Sequence, residues 1–353
     1  MAAAALAGAF GCDQAFPGKV TPTGYIHLLG ANVSSTQPLA AGGSIELAFD
    51  RFLLPVSVSR QSFVVKGVDG RVAASPAVTY DPVARTVTLS PQTGSVWLEP
   101  GQSYMLELPL PDYDAGTSSS QVGGVRGIDG TTLDPSSQRV IGFSVSASTT
   151  TQTAPPVSTF CRDVVPILEN KCGGGSCHGP ATDHVRPAAG LVLTTASGVA
   201  LTAISRVSQA SNTGARSQAS APTVRFGVDM PLISPGAPGD SWLLYKMLLA
   251  LPPTTTTAAR RIKCDGTEGT TPIDTASLYS APYSRTASVE ERAKLGEVVV
   301  GQPMPYPSKP GTPEDAAVGD PKTEAPLSFE ELERVRLWIA QGASLQECGE
   351  CEP

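Results

Sequence analysis

The chain has 353 residues, carries a formal net charge of −7, and contains 41% apolar and only 16% charged residues. The negative charge gives no reason to expect nucleic acid or an anionic membrane surface as a partner, and no apolar run approaches the roughly 20 residues that span a bilayer. This length predicts two domains, and the low charge together with 35 glycines and 32 prolines favours β-structure with long surface loops.

The first segment, residues 1–19, begins with the short apolar stretch MAAAALAGAFGC, which ends at Cys12. This stretch resembles the end of a bacterial lipoprotein signal, and the resemblance implies that Cys12 is lipidated. The alternative is a terminal tail that is merely rich in alanine. Contact with a membrane is expected only through a lipid at Cys12.

Residues 20–147 are predicted to be all-β. Short alternating segments rich in Val, Ile, Phe and Tyr occupy 44–50, 62–67, 76–81, 85–90, 103–108 and 139–146. Alternation means that one face of each strand is buried, so the strands should stack as a two-sheet sandwich. The motifs at 47–50 (LAFD), 62–65 (SFVV) and 98–104 (LEPGQSY) resemble those of bacterial Ig-like domains, which implies an Ig-like sandwich.

A polar segment without periodicity, residues 148–158, is predicted to be a linker to the second domain, residues 159–353. In that domain the pattern predicts helices at 163–171, 288–299 and 328–342. Two of them open with a capping box, formed by Ser288 with Glu291 and by Ser328 with Glu331. The long loops between them suggest that a buried cofactor, disulfides, or both hold this domain together.

The stretch KCGGGSCHG, residues 171–179, carries the strongest chemical signal. Covalent haem attachment uses the pattern C-x-x-C-H, whereas here four residues separate Cys172 from Cys177, which His178 follows. Glycines 173–175 can adopt positive φ and form a bulge, so that both thiols still converge on a porphyrin ring. The alternative is a disulfide between Cys172 and Cys177 beside an incidental histidine.

The order of motifs from 160 to 345 resembles the planctomycete-type cytochrome c domains and their C-x4-C-H relatives. The matching motifs are VPIL at 165–168, CHG at 177–179, GLVL at 190–193, PGAPGDSWLLYK at 235–246, MP at 304–305 and WIAQGA at 338–343. The resemblance implies a mainly α domain with long loops that binds haem c. Its iron would be held by His178 and Met304, because an axial His/Met pair suits electron transfer, with Met230 as the rival ligand.

The remaining cysteines, Cys161, Cys264, Cys348 and Cys351, are disulfide candidates whose pairing the sequence leaves open. Seven cysteines in such a chain indicate an oxidising compartment, either the periplasm or the outer cell surface.

The sequence therefore predicts an extracytoplasmic monohaem c-type cytochrome, an electron carrier and not an enzyme. It would exchange single electrons with a redox partner protein that the sequence does not identify. The alternative is a non-redox cell-surface protein, with a binding or structural role, in which Cys172 and Cys177 form a disulfide.

Overall fold

The computed structural model describes thirteen parts of the chain. They are residues 23–92, 97–111, 123–147, 156–173, 177–180, 186–208, 226, 229–251, 261–262, 268–269, 275–299, 303–305 and 326–345. The predicted N-terminal segment with Cys12, and residues 148–155 of the predicted linker, lie outside these parts. Within them, no helix is both long enough and apolar enough to cross a membrane.

The residues described in the N-terminal half form eight strands. They are β1 (Leu28–Ala31), β2 (Ile45–Phe49), β3 (Val64–Gly67), β4 (Val72–Ala74), β5 (Ala77–Asp81), β6 (Thr86–Ser90), β7 (Ser103–Glu107) and β8 (Val140–Ser144). They form two four-stranded antiparallel sheets, with the orders β1-β2-β6-β5 and β4-β3-β7-β8. The sequence predicted six of these strands and missed β1 and β4, both of which lie at sheet edges.

The alternation of buried apolar residues with more exposed residues along the strands explains why the two sheets pack together. Val87 and Leu89 of β6, and Tyr104 and Leu106 of β7, point into a single hydrophobic core shared by both sheets. Burying the apolar face of each sheet against the other removes it from water, which is the main stabilising effect in such a layer pair. The prediction of an all-β N-terminal half is compatible with this arrangement, and its Ig-like character stays a prediction.

The described part of the second half contains five short α-helices, one two-stranded ribbon, a π-helical turn before α1 (Phe160–Val164) and several 3-10 turns. The elements are α1 (Val165–Cys172), α2 (Ala196–Thr202), α3 (Trp242–Leu248), β9 (Arg261–Ile262), β10 (Glu268–Gly269), α4 (Val289–Val298) and α5 (Phe329–Ala340). These helices have 7 to 12 residues, and turns and extended segments connect them where the chain is described. The predicted mainly α cytochrome c-like domain is therefore wrong. Frequent Gly, Pro and Thr stop each helix early, and most of the chain has no helical periodicity.

Of the two predicted capping boxes, the one at α5 forms completely and the one at α4 forms only in part. At α5 the Ser328 side chain accepts a hydrogen bond from the Glu331 amide, and the Glu331 carboxylate accepts one from the Ser328 amide, as predicted. At α4 Ser288 caps the helix, but the carboxylate of Glu291 accepts a hydrogen bond from the Phe52 amide in the sandwich, at 3.1 Å. The reciprocal half of that box is replaced by a contact between the two halves of the chain.

The two halves share a hydrophobic core. Phe52, Leu54, Val83 and Ile128 of the N-terminal half are buried in the same apolar cluster as the helices of the second half. Gly239 approaches the sandwich so closely that a Cβ there would lie 2.9 Å from the ring of Tyr80. The sandwich therefore packs directly against the second half and covers part of its apolar core.

Buried polar contacts reinforce this interface. The Tyr279 hydroxyl lies 2.6 Å from Asp81 on β5 and 2.7 Å from Glu333 on α5, and Arg336 contacts both carboxylates. At a second position, Lys294 of α4 lies 2.9 Å from Asp129. Buried charges are tolerated when they are paired and hydrogen-bonded, so these contacts fix how the second half sits on the sandwich.

Candidate functional site: a cavity beside His178

Backbone hydrogen bonds fix His178 immediately after α1. Its amide donates to the carbonyl of Cys172 at 2.8 Å, and its own carbonyl accepts from the amide of Leu193 at 2.9 Å. These two bonds hold the backbone of His178 next to the last residue of α1 and next to Leu193.

The glycines of this motif that are described do not have the predicted role of forming a bulge with positive φ. Gly173 ends α1 with φ −86°, so the expected positive φ at this position is wrong. Its lack of a side chain matters for space, because a Cβ would lie 2.7 Å from the carbonyl oxygen of Glu169 and 2.8 Å from Thr194. Gly179 in turn packs against the carbonyl of Gly173, at 2.9 Å from an added Cβ. Gly174 and Gly175 lie outside the described residues.

The environment of His178 favours a neutral ring with one nitrogen available. Nδ1 lies 3.2 Å from the carbonyl oxygen of Leu191, and because a carbonyl only accepts, Nδ1 carries the proton. The lone pair is then on Nε2, which is the tautomer of a metal-binding histidine. Burial lowers the pKa of His178 below its ordinary value, although the carbonyls of Leu191 and Ala188 partly oppose this effect. The neutral imidazole therefore predominates at pH 7.

The two cysteines of the motif are both free thiols. The disulfide between Cys172 and Cys177 that the alternative interpretation required is therefore absent. Cys172 is buried, and burial raises the pKa of its thiol to about 12, with Cys177 adding to the effect. Cys177 is exposed. Both sulfurs are available for bonding to another group.

A cavity of about 530 Å³ lies beside this loop. Its wall is mostly apolar, and the side chains that matter for its chemistry are Cys172, His178, Leu191, Trp242, Lys246 and Met304. This volume falls within the range of about 300–1,000 Å³ that is typical of small-molecule and cofactor sites. A cysteine, a histidine and a methionine thus line one partly open cavity.

Met304 and Met230, the two rival ligands, occupy different environments. Met304 lines the cavity, and its amide donates to the carbonyl of Lys246 on α3 at 3.1 Å. Met230 is buried in the hydrophobic core and is not part of the cavity wall; its carbonyl accepts a hydrogen bond from the amide of Ser208 at 3.0 Å. The structure therefore brings His178 together with Met304 and leaves Met230 apart.

One general expectation from the sequence needs correction, and one disulfide candidate, Cys161, is confirmed. Among the described residues no group of three or more His, Cys, Asp or Glu side chains could hold a metal ion, so a metal-binding centre of that kind is wrong. No disulfide joins two described cysteines either: Cys161 is disulfide-bonded, and Cys264, Cys348 and Cys351 lie outside the described residues. Haem iron differs from such a centre, because the porphyrin supplies four nitrogens and the protein only one or two axial ligands.

The sequence analysis missed two cationic residues of the cavity wall. Lys246 lies on α3, a helix whose seven residues are all buried, and it lines the cavity. Arg206 follows α2 and donates a hydrogen bond to the carbonyl of Leu201 at 3.0 Å. A lysine inside the apolar run WLLYKML was the available signal, because a charged residue in a fully buried helix requires a polar surrounding.

No family model matches the chain, and no curated protein matches it. The similar solved structures include the S-layer protein rSbsC(31-844), with 13% identity over 43% of this chain and 16% of that one, at a TM-score of 0.24. The N-terminal part of the bacterial S-layer protein SbsC has 13% identity over 40% of this chain and 26% of that one, at a TM-score of 0.23. The chain thus spans about a quarter or less of these proteins, and similarity this low carries no argument about fold or function.

Proposed function

We propose that the cavity binds a covalently attached haem and that the protein carries single electrons outside the cytoplasm. The observation that carries this proposal is the convergence of Cys172, His178 and Met304 on one cavity of about 530 Å³. Cys172 and His178 come from one short stretch of the chain and Met304 from a distant one, and each belongs to a residue type that holds haem c.

The residues fit the group in their donor chemistry. His178 presents a neutral ring with the lone pair on Nε2, and its Nδ1–H bond to Leu191 orients that ring. Met304 would supply a soft thioether on the same cavity, and Cys172, a free thiol of the cavity wall, would form a covalent bond; Cys177 is also a free thiol but lies outside that wall. When bound, haem supplies a one-electron iron couple whose potential an axial methionine raises.

The surrounding chain would tune the site by excluding water. Trp242, Leu191 and Leu243 form apolar wall, and burial of a redox centre in such a wall limits solvent access and its reorganisation. Placement outside the cytoplasm belongs to the same proposal, because the disulfide at Cys161 suits an oxidising compartment, the periplasm or the cell surface.

The test is production of the full chain in a host that attaches haem to exported proteins. We expect a sharp reduced absorption band of the c type and haem that remains on the chain in a denaturing gel. His178→Ala should abolish the normal spectrum, whereas His27→Ala, which removes an exposed imidazole bonded to Asp50 on the sandwich, should leave it unchanged. A colourless wild-type protein that is fully folded would overturn the proposal.

A second candidate is a non-redox protein of the cell surface, with a binding or structural role. The observation in its favour is that Cys177 is exposed and not part of the cavity wall, although haem attachment needs both thiols at the ring. In that case the folded protein would be colourless, a maleimide reagent would react with exposed Cys177 in the folded protein, and buried Cys172 would react only after denaturation.

A further inference from the structure

We propose that residues 279–287, which we call the strap, are held on the sandwich by a proton shared around Tyr279 and are released when that proton is lost. The strap connects a 3-10 turn (Thr275–Leu278) to α4 and contains no helix or strand. This inference concerns the joint between the two halves of the chain, and it does not depend on haem binding.

Side chains of the sandwich hold the strap at several points. The amide of Ser280 donates to Oε2 of Glu46 on β2 at 2.8 Å. Nη2 of Arg85 donates to the carbonyls of Ser284 and Thr286, at 2.7 and 3.3 Å. Because the strap is not part of a sheet ladder, such side-chain contacts decide whether it stays on the sandwich.

One phenol lies between two carboxyl groups at the start of the strap. The hydroxyl oxygen of Tyr279 is 2.6 Å from the carboxylate of Asp81 on β5 and 2.7 Å from that of Glu333 on α5. Both are hydrogen-bond distances, but a phenol has one proton and an ionised carboxylate has none to donate. The two contacts therefore form together only when one of the carboxyl groups carries a proton.

The charges around this contact balance when that proton is bound. Arg336 lies 3.2 Å from Asp81 and 2.8 Å from Glu333. Glu46 is a third carboxyl group and interacts electrostatically with Asp81 and Arg336, whereas Arg85 is a second cation that interacts with Asp81. Fully ionised, the three carboxylates outnumber the two guanidinium groups by one. Loss of the proton thus leaves an excess negative charge between the strap and its supports, which favours opening.

Burial makes the proton exchangeable near neutral pH. It raises the pKa of Glu333 to about 7, although Arg336 opposes this effect, and it also raises the pKa of Glu46. Opening of the strap would hydrate Glu333 and return its pKa towards the ordinary value of 4.5. The closed strap therefore binds the proton more tightly than the open one. Its preference over the open form is complete below about pH 4.5 and declines as the pH rises to about 7.

Release of the strap would uncover one edge of the sandwich. Pro282 packs so closely on Gly30 of β1 that a Cβ at Gly30 would lie 2.8 Å from its ring. Strand β1 is at the edge of its sheet. Edge strands are places where another chain can pair, and proteins commonly cover them with a loop. The strap would thus act as a pH-sensitive cover of β1.

The test is hydrogen–deuterium exchange of the full wild-type chain at about pH 5 and about pH 8, corrected for the intrinsic exchange rate at each pH. Peptides from the strap report its opening, and peptides from β2 and β6 report the sandwich core. We expect the protection of the strap amides to fall about tenfold or more between the two pH values, because a pKa difference of one changes the opening equilibrium about tenfold. The strap should also exchange faster than β2 and β6 at both pH values, since local opening costs less free energy than global unfolding.

Glu333→Gln removes the titrating group, so its strap protection should differ by less than about twofold between the two pH values. The matched control is Glu297→Gln, the same substitution at an exposed position of α4, which should keep the full wild-type response. Circular dichroism checks that both variants are folded.

Three results would overturn the inference: strap protection in the wild type that does not change with pH, a strap that exchanges only as fast as β2 and β6, or an undiminished response in Glu333→Gln. If Glu333→Gln does not fold, the wild-type comparison decides alone. None of these results bears on the proposed haem site, which is tested by the spectrum.

Discussion

The hydroxyl oxygen of Tyr279 lies 2.6 Å from the carboxylate of Asp81, and this contact joins the second half of the chain to β5 of the sandwich. The same hydroxyl lies 2.7 Å from Glu333. A phenol has one proton, and burial raises the pKa of Tyr279, so it donates to only one of these partners. The second short contact then requires a proton on the other carboxyl group.

Tyr279→Phe should destabilise the protein by about 1–3 kcal/mol, because it removes a hydrogen-bond partner from two buried carboxyl groups. The measurement is the free energy of unfolding from urea denaturation at pH 7. Tyr25→Phe, at an exposed position of the sandwich, should change it by less than about 0.5 kcal/mol. Equal stability of the Tyr279→Phe variant and the wild type would show that the contact is not formed.

Glu333 should make stability depend on pH. Burial raises its pKa to about 7, while the neighbouring Arg336 opposes that change. The folded protein therefore binds a proton that the unfolded chain releases near pH 4.5, and this contribution to stability declines as the pH rises from about 4.5 to about 7. Asp81, Tyr279 and Arg336 are the charged and polar groups next to this carboxyl group.

Glu333→Gln keeps an amide in place of the protonated carboxyl and should remove that part of the pH dependence. The measurement is the difference in the free energy of unfolding between the variant and the wild type at about pH 5 and at about pH 7.5. When the pKa of a group differs by one between the folded and the unfolded chain, the free energy of unfolding changes by about 1.4 kcal/mol. The difference between variant and wild type should therefore change by more than about 1 kcal/mol across this range. A difference that is constant with pH would contradict the assignment.

Gly239→Ala should weaken the contact between the halves. The added Cβ would lie 2.9 Å from Cδ1 of Tyr80 and 3.0 Å from its carbonyl oxygen, and the backbone atom has no rotamer with which to move away. We expect a loss of about 1–3 kcal/mol in thermal or urea unfolding. Gly142→Ala on β8 meets no atom within 4 Å and should be tolerated; similar effects at both positions would exclude a specific close approach.

Met304→Ala should lower the reduction potential of the haem-loaded protein and admit external ligands to the iron, because a soft axial ligand is removed. Met230→Ala should reduce stability by about 2–5 kcal/mol through the loss of core packing and leave the potential unchanged. The measurements are a redox titration and the spectrum after addition of carbon monoxide to the reduced protein. A changed potential in Met230→Ala alone would reassign the ligand.

Local signals explain which parts of the fold the sequence could predict. The box of Ser328 and Glu331 uses only neighbouring residues, so it was predicted correctly, whereas Glu291 is drawn to the Phe52 amide in the distant sandwich. Helix α3 was missed because it is buried all round and lacks an apolar stripe. The three helices predicted for the second half are present as α1, α4 and α5. The mainly α domain that the motif resemblance implied is wrong, because these helices are short and pack partly against the sandwich.

Part of the candidate site could likewise be predicted from the sequence, and part could not. His178 and Met304 could be named from their motifs, and the structure brings both to one cavity. The roles of Leu191 as the partner of Nδ1 and of Lys246 as a cavity cation depend on how distant segments pack, and no spacing rule encodes them. Gly173 was identified as special for the wrong physical reason, since close approach and not backbone angle requires it.

The common core at Phe52, Leu54, Val83 and Ile128 has a consequence for engineering this chain. A fragment that begins after the sandwich would expose apolar surface that the intact protein covers, and it should aggregate when expressed alone. Moving the second half to another carrier would therefore require the residues of the N-terminal half that complete its core, such as Phe52 and Ile128, to be transferred with it. For the same reason, either half cannot simply be exchanged for another domain during evolution. The two halves should unfold in a single cooperative transition.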